Sequence, residues 1–110
     1  MTFADNLKQL PSIDHIAELQ LLDAQGQLAA TIPNATGKAG SVTIYNALYA
    51  KHGSINVAAA EEGLELFAEH TADAKAHPGS HPNIDRLLKI IASGQGYTVA
   101  VIAKPDAPAA

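Results

Sequence analysis

Apolar positions along the chain switch between a period near two and a period near 3.6, and the switches divide it into strands and helices. Phe3, Leu7 and Leu10 make a narrow helical stripe behind Thr2 and Asp5, which have the spacing of a capping box, and Pro11 ends that helix. Over 13–22 the period falls to two, with His15, Ala17, Leu19 and Leu21 on one face and Ile16, Glu18, Gln20 and Leu22 on the other. Asp23, Ala24, Gln25 and Gly26 supply a reversal, after which Leu28, Ala30 and Ile32 alternate again as far as Pro33; the pair reads as a hairpin with Gly26 in its left-handed position. Ser41 is the expected N-cap of a helix over 42–52, whose broad apolar face carries Ile44, Tyr45, Leu48, Tyr49 and His52, and Gly53 stops it.

The longest helical pattern follows, beginning near Ser54 or Asn56 and ending before Pro78. Val57, Ala60, Leu64, Phe67, Thr71 and Ala74 gather on one side of its wheel and predict the face that meets a core. Glu61, Glu65, Glu69 and Asp73 recur at four-residue steps, a like-charge spacing that costs about 0.2–0.5 kcal/mol per pair in an isolated helix. Leu66, His70 and His77 share a third side, opposite the apolar stripe, where Leu66 is a surplus apolar residue that suggests a second contact. Gly63 lies inside the helix at a cost of about 1 kcal/mol relative to Ala, which a close backbone approach would explain. Pro82 opens another amphipathic helix through Ile84, Leu87, Leu88 and Ile91, closed by Gly94. Residues 97–103 form a last strand that is nearly apolar on both faces and is therefore expected at the centre of the sheet or covered on both sides. The fold class predicted is α+β: a small antiparallel sheet, built from the N-terminal hairpin and the C-terminal strand, covered by about three main helices. One globular domain over 1–110 is expected, with 104–110 as a flexible tail.

Composition narrows the function more than it names it. A chain of 110 residues can bury about 60–70% of its unfolded surface, enough for one core. The absence of Cys excludes disulfides, thiol catalysis and Cys-based zinc sites. The start of the chain lacks the basic and apolar regions of a signal peptide and no apolar run is long enough to span a bilayer, so a cytoplasmic protein without membrane association is expected. Net charge is −4, and the seven cations are scattered without a basic run, which sets nucleic acid aside as a partner.

Two clusters carry candidate chemistry. His70, Asp73 and His77 stand at i, i+3 and i+7, with His81 just beyond a Pro-Gly break; nitrogen and carboxylate donors so spaced could hold a divalent transition metal such as zinc, nickel or copper. The same residues also fit an ordinary solvated helix end, where His meets the negative end of the dipole, and the H-E-x-x-H motif of a helical metal pair is absent. No cofactor is otherwise predicted. Gly37, Lys38, Gly40 and Ser41 form a glycine-bearing turn from strand to helix that could cradle phosphate or carboxylate, or could simply connect the two elements; it does not fit G-x-x-x-x-G-K-[ST]. His52 and His15 are read as core histidines with satisfied rings. No nucleophile-and-base pair is legible, so no catalytic residue is assigned.

The phrases PSIDHIAELQLLD, GKAGSVTIYNAL, AAEEGLELFAEHTADAKAHPGSHPNIDRLL and VAVIAKP together resemble a small family of bacterial proteins catalogued only as a domain of unknown function. The resemblance spans nearly the whole chain and implies a bacterial, cytoplasmic protein, with no residue role to carry over. The function expected is accordingly a non-catalytic protein-interaction domain that self-associates, the surplus Leu66 and the doubly apolar last strand supplying its surfaces. The alternative is a metal-binding or anion-binding protein, including a metal-dependent enzyme, built on one of the two clusters.

Overall fold

The computed structural model describes residues 2–105. Its elements run α1 (Phe3–Leu7), β1 (Ile16–Leu22), β2 (Leu28–Pro33), α2 (Ala39–His52), α3 (Val57–Phe67), α4 (Glu69–Ala76), α5 (Pro82–Ser93) and β3 (Thr98–Ala103). The predicted α+β class holds: a three-stranded antiparallel sheet in the order β2-β1-β3 with five helices. The residues expected to form a flexible tail lie mostly outside the described residues; of those within, the Lys104 N–H donates to the His15 carbonyl at 3.0 Å. No described helix is long and apolar enough to cross a membrane.

The hairpin forms as its sequence dictates. Gly26 sits at φ +78°, and the Asp23 carboxylate accepts the N–H groups of Gln25 and Gln27, both at 2.9 Å, so the turn satisfies its own backbone. Leu19 and Leu21 of β1 pair with Ile32 and Ala30 of β2 and with Val101 and Val99 of β3, giving the sheet one core-facing side. Ile16 departs from simple alternation. Two residues of β1 oppose one of β3 between Ile16 and Glu18, and this bulge at Ala17 turns Ile16 onto the side of Leu19 and Leu21, where it is fully buried. His15, one residue earlier, is exposed rather than a core histidine, because the strand begins after it.

The last strand is an edge, not the centre. β1 takes hydrogen bonds on both sides, whereas β3 pairs only with β1, so Val101 and Ile102 remain 38% and 36% exposed on opposite faces. Gly96 lets β3 enter: the Ile55 N–H donates to the Tyr97 carbonyl at 2.8 Å, and a Cβ on Gly96 would lie 2.1 Å from the Ile55 carbonyl oxygen.

Three helices enclose the other side of the core. α2 buries Val42, Ile44, Tyr45 and Leu48, and α5 buries Ile84, Leu87 and Ile90, its face turned slightly from the expected stripe so that Ile91 stays exposed. α3 buries Ala59, Ala60, Gly63 and Phe67. Gly63 is the expected close approach: a Cβ there would meet Leu87 Cδ1 at 2.7 Å and Leu48 Cδ1 at 2.9 Å.

The long predicted helix is broken at Ala68, which adopts φ 52° and ψ −119° between α3 and α4. Thr71 secures the break, its hydroxyl donating to the Leu64 carbonyl at 2.6 Å while its N–H donates to the Ala68 carbonyl. Helix α1 is capped by reciprocal bonds between Thr2 and Asp5, as expected, and lies against α2 and α3. Ser41 is not the cap of α2. The Ala35 carbonyl accepts the N–H groups of Lys38 and Ala39, so the helix starts earlier, with Lys38 at its N-cap and no side-chain cap.

Candidate functional site

The end of α4 at Ala76 decides the geometry of the histidine cluster. Asp73 lies on α4, but His77 is already past the helix with φ −132°, so the three residues do not stack along one continuous side. Asp73 is instead a hub, its Oδ1 lying 3.2 Å from His77 Nδ1 and its Oδ2 accepting from His81 Nε2 at 2.6 Å. The His81 hydrogen bond, aided by the charge on His77, holds the Asp73 carboxyl below the usual aspartate range. His70 makes no bond to Asp73. Its ring stands edge-on to Phe3 at 4.7 Å between centroids and 5.5 Å from the ring of His81.

His77 and His81 each direct one ring nitrogen at Asp73, and His70 packs on an aromatic ring. Among the described residues no group of three or more His, Asp or Glu side chains is placed to hold a metal ion. The acidic ladder is similarly diverted: Glu69 accepts the Phe3 N–H at 2.8 Å, a bond that lowers its pKa and ties α4 to α1. Glu62 receives His52 Nε2 at 2.9 Å and Lys51 Nζ at 3.0 Å, so the half-buried His52 is satisfied at the edge of the core. Leu66 is half-buried against the core, and its carbonyl accepts from the Asn6 side chain of α1 at 3.0 Å; α1 thus occupies part of the side that looked surplus.

The glycine-bearing turn holds together as a structure with separate jobs for its residues. Gly37 takes the left-handed conformation at φ +85°. Gly40 serves packing, since a Cβ would lie 2.6 Å from Phe3 Cζ. Lys38 and Ser41, however, line a concavity of about 390 Å³ whose other wall is the start of α5, with His81, Asn83 and Arg86. Gly37, Lys38 and Ser41 of one sequence cluster and His81 of the other therefore meet here, from positions about 40 residues apart.

Arg86, Asn83 and Tyr45 are the members that the sequence reading did not single out. Arg86 Nη1 donates to Asn83 Oδ1 at 2.8 Å and to the Tyr45 hydroxyl at 3.2 Å, and the guanidinium lies 5.7 Å from the centre of the Tyr45 ring. The Tyr45 hydroxyl in turn donates to the Asn83 carbonyl. Burial pushes the Tyr45 pKa up to about 12 against the opposing pull of Arg86. The one advance signal was Asn83 and Arg86 at i, i+3 on a helix; the tyrosine is 41 residues from the arginine it touches.

Residues 3–101 match a family described as an uncharacterised protein conserved in bacteria, DUF2322. The chain belongs to the DUF2322 family. The resemblance carried by its phrases is therefore borne out, and the match takes in both candidate clusters of this DUF2322 protein. No curated protein and no solved structure was found to match it. Membership assigns no role to any residue, so the functional reading rests on the geometry.

Proposed function

We propose that the protein is a cytoplasmic, non-catalytic interaction domain that associates with a second copy of itself through β3. The observation that supports this is the character of that edge: 98–103 contains no charge and no proline, and it exposes Val101 and Ile102 on opposite faces. Edge strands that stay free of other chains are blunted by charge, proline or an irregularity of their own. β2 has such features, because Pro33 closes it and the extra residue of its register shift, Ala29, lies in β2 itself. β3 has none within its length.

A second copy is the natural occupant, since an antiparallel strand placed about a two-fold axis pairs with itself and needs no other sequence. Two three-stranded sheets would join as one of six strands, with the β3 backbone groups satisfied and Val101 and Ile102 covered by their symmetry mates.

Sedimentation velocity across a concentration series tests the reading. The wild type is expected to pass from monomer to dimer, and Val101→Lys, which places a charge on the edge, is expected to remain monomeric with an unchanged circular dichroism spectrum. A wild type that stays monomeric throughout, or a Val101→Lys variant that dimerises as the wild type does, overturns it.

A further inference from the structure

We propose that the concavity between the start of α2 and the start of α5 binds the phosphoryl group of a small phosphomonoester. The site is independent of the β3 edge, and its case begins with charge. In a protein of net charge −4, Lys38 and Arg86 both line this hollow, and neither is ion-paired among the described residues. A half-buried guanidinium ordinarily sits against a carboxylate. No acid lines the hollow among the described residues; Asp73 is turned to His81 and His77, and Asp85 to the Gly79 N–H at 2.9 Å.

Arg86 is also held in place. Its Nη1 is anchored by two neutral oxygens, on Asn83 and Tyr45, while Nη2 and Nε take no described acceptor. The side chain is thus fixed with the rest of its fork available, which lowers the ordering cost of binding an oxyanion. The starts of α2 and α5 add to the same polarity, since neither carries a side-chain cap.

Two cations, of which Arg86 is held in place, match a dianion better than a single carboxylate, which selects phosphate. The hollow's size selects a small molecule: about 390 Å³ falls within the range of about 300–1,000 Å³ usual for small-ligand sites. Phe67 and Ile84, buried to 3% and 1% exposure, give it an apolar floor for the organic part of an ester.

The test is a titration of the ¹⁵N-labelled full chain with inorganic phosphate and with phenyl phosphate at constant pH and ionic strength, with benzoate alongside. Saturable shifts are expected at 37–41 and 81–86, with phenyl phosphate binding more tightly than inorganic phosphate. Arg86→Gln is expected to weaken binding about tenfold or more, the loss of one charged hydrogen-bonding partner. Because that change also touches Tyr45, Lys38→Gln supplies the separable test: Lys38 is exposed and has no ion pair among the described residues, so binding should weaken while the melting temperature stays put. Absence of saturable shifts at these positions, or shifts unaffected by Lys38→Gln, overturns the proposal. Tighter binding of benzoate than of phenyl phosphate overturns the choice of phosphate, and a phosphoserine peptide that outcompetes phenyl phosphate overturns the choice of a small molecule.

Discussion

Replacing Gly63 by Ala sets two known effects against each other, and the packing around α3 decides the sign. Inside a helix the change should stabilise by about 1 kcal/mol, because Gly loses more backbone entropy on folding and Ala has the best propensity. The new Cβ, however, would lie 2.7 Å from Leu87 Cδ1 and 2.9 Å from Leu48 Cδ1, where carbon atoms prefer about 3.5–4.0 Å. Each methyl must therefore withdraw by roughly 0.6–1.3 Å. Both leucines are essentially fully buried, so neither has open space to enter, and overpacking of this kind costs about 1–3 kcal/mol. The net expectation is a destabilisation of about 1 kcal/mol, with a range from near zero to about 2. Urea unfolding of Gly63→Ala reads this directly as a lower midpoint at unchanged slope. Pairing it with Leu87→Val, which trims the closer neighbour, should recover part of the loss, so that the double variant is more stable than the two single changes predict. If Gly63→Ala alone raises stability by about 1 kcal/mol, propensity has won and the tight junction of α2, α3 and α5 is not there.

Ala68→Gly should stabilise by about 1 kcal/mol, since Ala68 holds φ 52° and ψ −119°, a conformation that glycine adopts without strain; a lower urea midpoint would refute the break. In an ultraviolet titration one tyrosine should ionise only near pH 12, and Tyr45→Phe should delete that step. An unfolded Tyr45 ionises near 10, so its part of the stability is whole below that pH and is lost between 10 and about 12, a fall that Tyr45→Phe should remove from the alkaline limb. Asp73 titrates below its ordinary 3.8 because of His81 and His77; the stability it contributes is present above that pH and lost as acid protonates the folded carboxyl. Urea midpoints of Asp73→Asn and wild type should therefore converge as pH falls through this range, and a gap that persists in acid would show that the hub does not act through its charge.

Local patterns that need only a helical or strand period were readable in advance: the capping box of Thr2 and Asp5, the Gly26 hairpin, Ile44, Tyr45 and Leu48 on the buried face of α2, Ile84 and Leu87 on that of α5, and the close approach at Gly63. What escaped depends on tertiary context. Alanine is the best helix former, so nothing at Ala68 announces a break that Thr71 and Leu64 impose from outside the residue. Apolarity on both faces marks a covered strand or an open edge equally well, and β3 turned out to be the edge because β1 already had both neighbours. The bulge at Ala17 moved Ile16 to the opposite face without a glycine to signal it. As for the site, spacing along one helix found Asp73 and its histidines but not their arrangement, and it could not join Lys38 to Arg86, which only the tertiary fold brings to one hollow.

The turn at Ala68 also sets a hierarchy of opening. α4 buries a single side chain, Ala74, and is fastened chiefly by exposed bonds through Glu69 and Asp73 and a partly buried one through Thr71. Such a segment can detach at a small fraction of the free energy needed to unfold the whole chain, while α3 on the other side of the turn stays anchored by four buried residues. Amide hydrogens of 69–76 should thus exchange long before those of α3, although only one residue separates the two helices. Each such excursion frees His81 from Asp73 and leaves it mobile at the mouth of the α2–α5 hollow, so that wall is renewed on the timescale of local fluctuation, not of global unfolding.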